Sequence, residues 1–206
     1  MHGVLQLHTH HDTQPQETTA SVATLVARAR RGDVEAFTLL YRHFVPRIYD
    51  YVARRVDSRH SAEEVTQEVF YRAFRDIAGC RDDEAFAGWL FAIARHGVAD
   101  AHRAGRVRTE PLNETCEFED PDPTPEQIVL VRDQARLLAD ARARCLTTRD
   151  RDLLDLHLAG LTDQEIATAQ GRGYGAVRTA HWRLINRLRD CLQQLNHEQG
   201  GRHVAR

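Results

Sequence analysis

Glu64, Gln67, Glu68 and Tyr71 recur at the three- and four-residue steps that bring side chains together on one helix face. An acidic, amide-bearing face suits docking to a protein; a plain solvated face is the alternative. Arg72 and Arg75 follow at the carboxyl end, where cations complement the helix dipole. A second stripe lies on the helix starting near Phe86. At about 100° per residue, Trp89, His96, Asp100 and Arg103 fall within about 60° of one another. A stacking ring, a switchable donor and acceptor, and a phosphate fork are what single-stranded DNA handling uses, although a Trp beside an apolar face also serves as core. The loop Gly79, Cys80, Arg81, Asp82, Asp83 looks mobile and suits the wall of a pocket for an extruded base. A third group, Arg178, Thr179, Trp182, Arg183 and Asn186, points away from an apolar face of Val177, His181, Leu184, Ile185, Leu188, Leu192 and Leu195. Bidentate Arg for guanine, Thr for a methyl or phosphate, and a base-edge donor are the equipment of a groove-reading helix. Between Gln170 and Arg189 there are five Arg and no acid, which favours phosphate locally.

These groups need helices to carry them, and the sequence has helical period throughout. Phe37, Leu40, Tyr41, Phe44, Ile48, Val52 and Val56 recur at helical steps, as do Val65, Val69, Phe70, Ala73, Phe74 and Ile77, and again Phe86, Leu90, Ile93, Ala94 and Ala101. Gly32-Asp33 punctuates the entry to the first of these, and Asp57-Ser58 with Ser61 offers cap chemistry before the second. Further on, helices are expected over Asp150 to Leu158, Asp163 to Ala169, and from about Gly175. Thr162 with Glu165 reads as a capped start, and glycines at 171, 173 and 175 supply a turn, which together make a helix-turn-helix pattern. No segment alternates long enough to be a strand. The fold class is all-α.

The chain of 206 residues is 42 % hydrophobic and 28 % charged, ordinary for a globular protein of one large or two small domains. Its net charge of −2 hides a division. Residues 21–108 hold 15 Arg against 12 acids, 109–126 hold 7 acids and no base, and 127–206 hold 13 Arg against 9 acids. Four of the six prolines fall in the acidic strip, so it reads as a linker between two helical domains. The expected organisation is a disordered tail at 1–20, a first domain at 21–108, the linker at 109–126, a second domain at 127–195 and a tail at 196–206. All 28 basic residues are Arg, which suits phosphate forks, though the codon bias of a GC-rich genome accounts for it more readily.

Cys80, Cys116, Cys145 and Cys191 are 36, 29 and 46 residues apart and form neither a CxxC pair nor a zinc spacing. Reduced, incidental thiols are expected. His8, His10 and His11 read as part of a disordered tail, and no metal or cofactor is expected. No apolar run approaches the roughly 20 residues of a membrane span, and the amino end does not read as a signal peptide, so a cytoplasmic protein without membrane partners is expected.

GDVEAFTLLYRHFVPRIYDYV, AEEVTQEVFYRAFR and FAGWLFAIARHGVADAHR match, in order and spacing, the three helical segments of region 2 of the extracytoplasmic-function sigma factors of bacterial RNA polymerase. The resemblance implies that Glu64, Gln67, Glu68 and Arg72 face the clamp helices of the polymerase's largest subunit. It also implies that Gly79 to Arg103, including Arg81, Asp82, Trp89, His96, Asp100 and Arg103, read and open the minus-ten element. Glu64 stands where the family usually has Asp, and His96 where it often has Asn; the second change bears on base preference. Residues from Leu146 onward resemble region 4 more weakly, through GLTDQEIA and the spacing of Val177 to Leu188. This implies minus-35 reading by Arg178, Thr179, Trp182, Arg183 and Asn186, and contact with the polymerase flap. The turn departs from the family at Arg172, Gly173, Ala180 and His181, and His181 is expected to be a satisfied core histidine. An anti-sigma partner is a further implication.

The function expected is a sigma factor that binds core RNA polymerase and promoter DNA and is not an enzyme. A stand-alone helix-turn-helix regulator is the main rival. A nuclease built on Asp82, Asp83 and Glu84 is disfavoured, because consecutive acids cannot share a helix face.

Overall fold

The computed structural model describes residues 20–105 and 139–203, with side chains described to Leu195. Every regular element among them is helical. Helices α1 (Val22–Ala29), α2 (Val34–Ala53), α3 (Arg59–Asp76) and α4 (Phe86–Arg103) form the first block. A helical stretch at 139–145, α5, leads into α6 (Thr148–Leu158), α7 (Asp163–Gln170) and α8 (Tyr174–His203). No helix among the described residues is long and apolar enough to cross a membrane.

Local chemistry places the starts. Ser21 accepts from the backbone of Thr24, Asp33 from Ala36 and Ser58 from Ser61, each satisfying an otherwise orphaned amide. Thr147 with Asp150 and Thr162 with Glu165 form reciprocal capping boxes. Gly171, with φ 61°, closes α7 in the left-handed region that favours glycine.

Burial follows the periodic residues. Leu40, Phe44, Ile48, Val52, Val69, Phe86 and Leu90 lie inside the first block. The apolar cluster continues without a break into Leu153, Leu156, Ile166, Val177 and Leu184, so both blocks share one core. The principal joint is α4 against α7. Burying each Leu or Ile on both sides contributes about 1.5–3 kcal/mol before entropy is counted.

Three expectations are corrected. Cys145 and Cys191 are not free thiols but a disulfide across 46 residues, with Cα atoms 6.3 Å apart, bridging α5 and α8. The spacing alone concealed this pairing, because α8 doubles back beside α5 only in the fold. Residues 196–203, expected as tail, continue α8. Ile185, expected on the buried face of α8, is 40 % exposed, and Cys191 is buried on that helix with Val177 and Leu184. The tail at 1–19 and the linker at 109–126 lie outside the described residues.

Candidate functional site

On α3 the apolar residues Val65, Val69, Phe70 and Ala73 point inward, which leaves Glu64, Gln67 and Glu68 exposed. Tyr71 and Phe74 extend the same surface and are 61 % and 51 % exposed, an uncommon outlay of aromatic area on a solvated helix. Phe74 packs edge-to-face on Phe37 of α2 at 5.0 Å. Glu64 is 3.4 Å from His60 one turn earlier. Arg72 donates to Glu68 at 2.6 Å and to Asp100 of α4 at 3.3 Å. The hydrogen bond donated to Glu68, followed by that donated to Asp100, holds the guanidinium above its usual range. Arg72 is therefore also a tie between α3 and α4.

The second set is spread along α4 and the turn before it. Arg81, His96 and Arg103 are exposed. Trp89 is only half-buried, tilted on Phe86 at 5.7 Å, so one part of its ring packs and the rest remains accessible. Asp100 accepts from Arg103 and Arg72, which hold its carboxyl below the usual range. Asp82 accepts from the backbone of Glu84, capping the short 3-10 turn Asp83–Ala85. The turn thus carries a cap hydrogen bond of its own. Cys80 is 2 % exposed with its thiol directed to the carbonyl of Asp82 at 3.4 Å, and Asp83 pairs with Arg30 at 2.9 Å.

The third set lies on the amino-terminal half of α8. Arg178, Thr179, Trp182 and Arg183 are exposed, Trp182 by 68 %, while Val177 and Leu184 face the core. The Arg178 guanidinium lies 5.9 Å from the Tyr174 ring, and the Thr179 hydroxyl donates to the carbonyl of Gly175 at 2.9 Å. Asn186 is half-buried and accepts from Arg189 at 3.1 Å, so its carbonyl oxygen is already engaged. His181 is half-buried and bonded to Asp163 at 3.1 Å, satisfied at the rim of the core rather than within it. Its ring faces His157 of α6 at 3.9 Å. Burial, and then the nearby His181, push the His157 imidazole below its ordinary range.

Sequence reading missed the polar joint between the blocks. Asp152 of α6 accepts from the Tyr51 hydroxyl at 2.9 Å, Arg95 at 3.1 Å, Gln170 at 3.0 Å and Arg55 at 3.4 Å. Asp155, 1 % exposed, receives Arg55 at 2.7 Å and both nitrogens of the Arg142 fork at 2.6 and 2.8 Å. Arg47 and Arg95 donate to the carbonyls of Ala159 and Ala169 at 2.7 and 2.9 Å. Burial raises the Tyr51 hydroxyl far above its ordinary range and lowers Arg47. The signal available in sequence was Asp152 and Asp155 at a three-residue step; nothing local told which arginines would meet them.

Residues 40–108 match the Sigma-70 region 2 family. The chain is 33 % identical over 177 residues to the ECF RNA polymerase sigma factor BldN of Streptomyces coelicolor, covering 84 % of this chain and 67 % of that one. It is 35 % identical over 173 residues to the ECF RNA polymerase sigma factor SigD of Mycobacterium tuberculosis, covering 81 % of each. Among solved structures, CnrH in complex with the cytosolic domain of CnrY superposes with a TM-score of 0.60 at 19 % identity, over 84 % of this chain and 97 % of that one, a likeness of fold.

Proposed function

The chain belongs to the ECF RNA polymerase sigma factors, and from that premise we propose how its surfaces divide the work of binding core RNA polymerase and directing promoter-specific initiation. The exposed face of α3, Glu64, Gln67 and Glu68 with Tyr71 and Phe74, is the polymerase handle. It carries the proposal because acidic, amide and aromatic groups stand together there on one exposed helix face. Such a surface offers hydrogen-bond acceptors around apolar anchors, the composition of an interface centre.

Residues 21–108 then form the domain that reads and opens the minus-ten element. The accessible part of Trp89 stacks on an unpaired base, Arg81 and Arg103 hold phosphate, and His96 contributes a donor or acceptor to base choice. Asp100 positions Arg72 and Arg103. Residues 127–195 form the second domain, with Arg178, Arg183, Thr179 and Trp182 of α8 laid in the major groove at the minus-35 element. Asn186 serves as a supporting residue at the end of that surface. The strip at 109–126 links the two readers. None of these steps calls for catalysis or a cofactor from this chain, and the work is cytoplasmic. CnrH is held by the cytosolic domain of CnrY; an anti-sigma partner for this chain would compete for the α3 patch.

The test is reconstitution. The full chain mixed with core polymerase should direct transcripts from promoter DNA that core alone does not start. Failure to bind core, under conditions where another sigma factor binds, would overturn the reading.

A further inference from the structure

Three metal-ligating side chains from three helices meet behind the DNA-reading surface. His157 lies in the last turn of α6, Asp163 opens α7, and His181 lies on α8. The Nδ1 of His181 is 3.1 Å from Asp163 Oδ1, and the Nε2 of His157 is 3.3 Å from the same oxygen. One ligand atom from each residue lies within 4.8 Å of the others. Ligands of a tetrahedral ion with bonds of about 2.0–2.1 Å stand about 3.4 Å apart, so both histidine–carboxylate separations already suit coordination, and side-chain rotations that unstack the imidazoles, 3.9 Å apart, would point their in-plane lone pairs at one ion. Histidine χ2 is soft enough to supply these rotations.

We propose that His157, Asp163 and His181 form a binding site for a divalent first-row transition-metal ion of the zinc type. Hydrogen bonding leaves one atom of the cluster short: His157 Nε2 is buried and, although 3.3 Å from Asp163 Oδ1, makes no hydrogen bond of proper geometry, and such atoms are rare in folded proteins because desolvation is costly. An ion held by the two imidazoles and the carboxylate would satisfy His157 Nε2 and take the place of the His181–Asp163 hydrogen bond. Two imidazoles with one carboxylate suit zinc, cobalt or nickel, whereas calcium and magnesium favour oxygen ligands. Three protein ligands leave one coordination position for water or an incoming group.

The placement gives the site a consequence. α7 and α8 are the two arms of the helix-turn-helix and α6 backs them, so one ion would fix the angle at which α8 presents Arg178 and Trp182. The site itself stands apart from the promoter-reading role, since it rests on the cluster alone.

The test is Co2+ titration of the metal-free full chain, with His2, His8, His10 and His11 replaced by Ala to remove binding by the amino-terminal histidines. A saturable visible absorption of tetrahedral type, reached at one equivalent, is expected. His157→Gln and His181→Gln should each weaken binding by at least about 10-fold, the lower range found even for outer-shell changes. Asp163→Asn keeps the shape of the side chain and leaves the Thr162–Glu165 cap intact, so it decides the matter if a histidine variant fails to fold. Zn2+ should raise the unfolding midpoint of the parent but not of Asp163→Asn. Absence of saturable absorption, equal binding by Asp163→Asn, or a thiolate charge-transfer band placing the ion on cysteine would each overturn the proposal.

Discussion

Gly88 of α4 lies directly on the backbone of α7: a Cβ added there would stand 2.5 Å from the carbonyl oxygen of Glu165 and 2.8 Å from the Cβ of Thr168. Only hydrogen fits at this point. The obstruction is a helix backbone, which cannot swing aside as the end of a flexible side chain would. Gly88 thus sets how closely α4 and α7 pack.

Gly88→Ala should accordingly destabilise the joint by about 1–3 kcal/mol, the usual cost of overpacking. Urea unfolding of the full chain measures it. Unchanged stability would show that α4 and α7 are not in contact in solution.

Gln67→Ala combined with Glu68→Ala should weaken binding to core polymerase while leaving helix content unchanged, because both side chains are exposed. Arg72 loses Glu68 in this variant but keeps Asp100, so the α3–α4 tie survives. Fluorescence anisotropy with labelled protein gives the affinity, and circular dichroism the helix content. Equal affinity would reduce this face to a solvated one.

Arg178→Ala should cost about 1–3 kcal/mol at the minus-35 element if the guanidinium makes a bidentate base contact. The comparison that matters is with scrambled DNA. An equal loss on both would assign Arg178 to phosphate and remove it from base recognition.

Reduction of Cys145–Cys191 should lower the stability of the second block by about 2–4 kcal/mol, the range for a native cross-link. Denaturant unfolding with and without reductant reports it, and Cys145→Ser should match the reduced parent. No difference between the oxidised and reduced chains would mean that α5 and α8 are held together without the bond.

The sequence by itself determined most of the helices, several of their starts and the outward face of α3. Ser58, Thr162 and Glu165 act on amides three residues away, and the inward set of α3 recurs within single turns, so neighbours in the chain contain the needed information. The same locality left Glu64, Gln67 and Glu68 on the outward face of α3. Only the tertiary structure decided which distant residues meet. Tyr51 finds Asp152 across 101 positions, Cys145 finds Cys191 across 46, and His157 finds His181 once α6 and α8 are packed. None of these pairs shares a helical period. The first and third meetings accompany the burial of Leu153, Ile166 and Leu184 in one apolar core with residues of α2 and α4, while the cysteines sit in a smaller cluster with Ala141 and Leu195; both are long-range outcomes that no local spacing encodes.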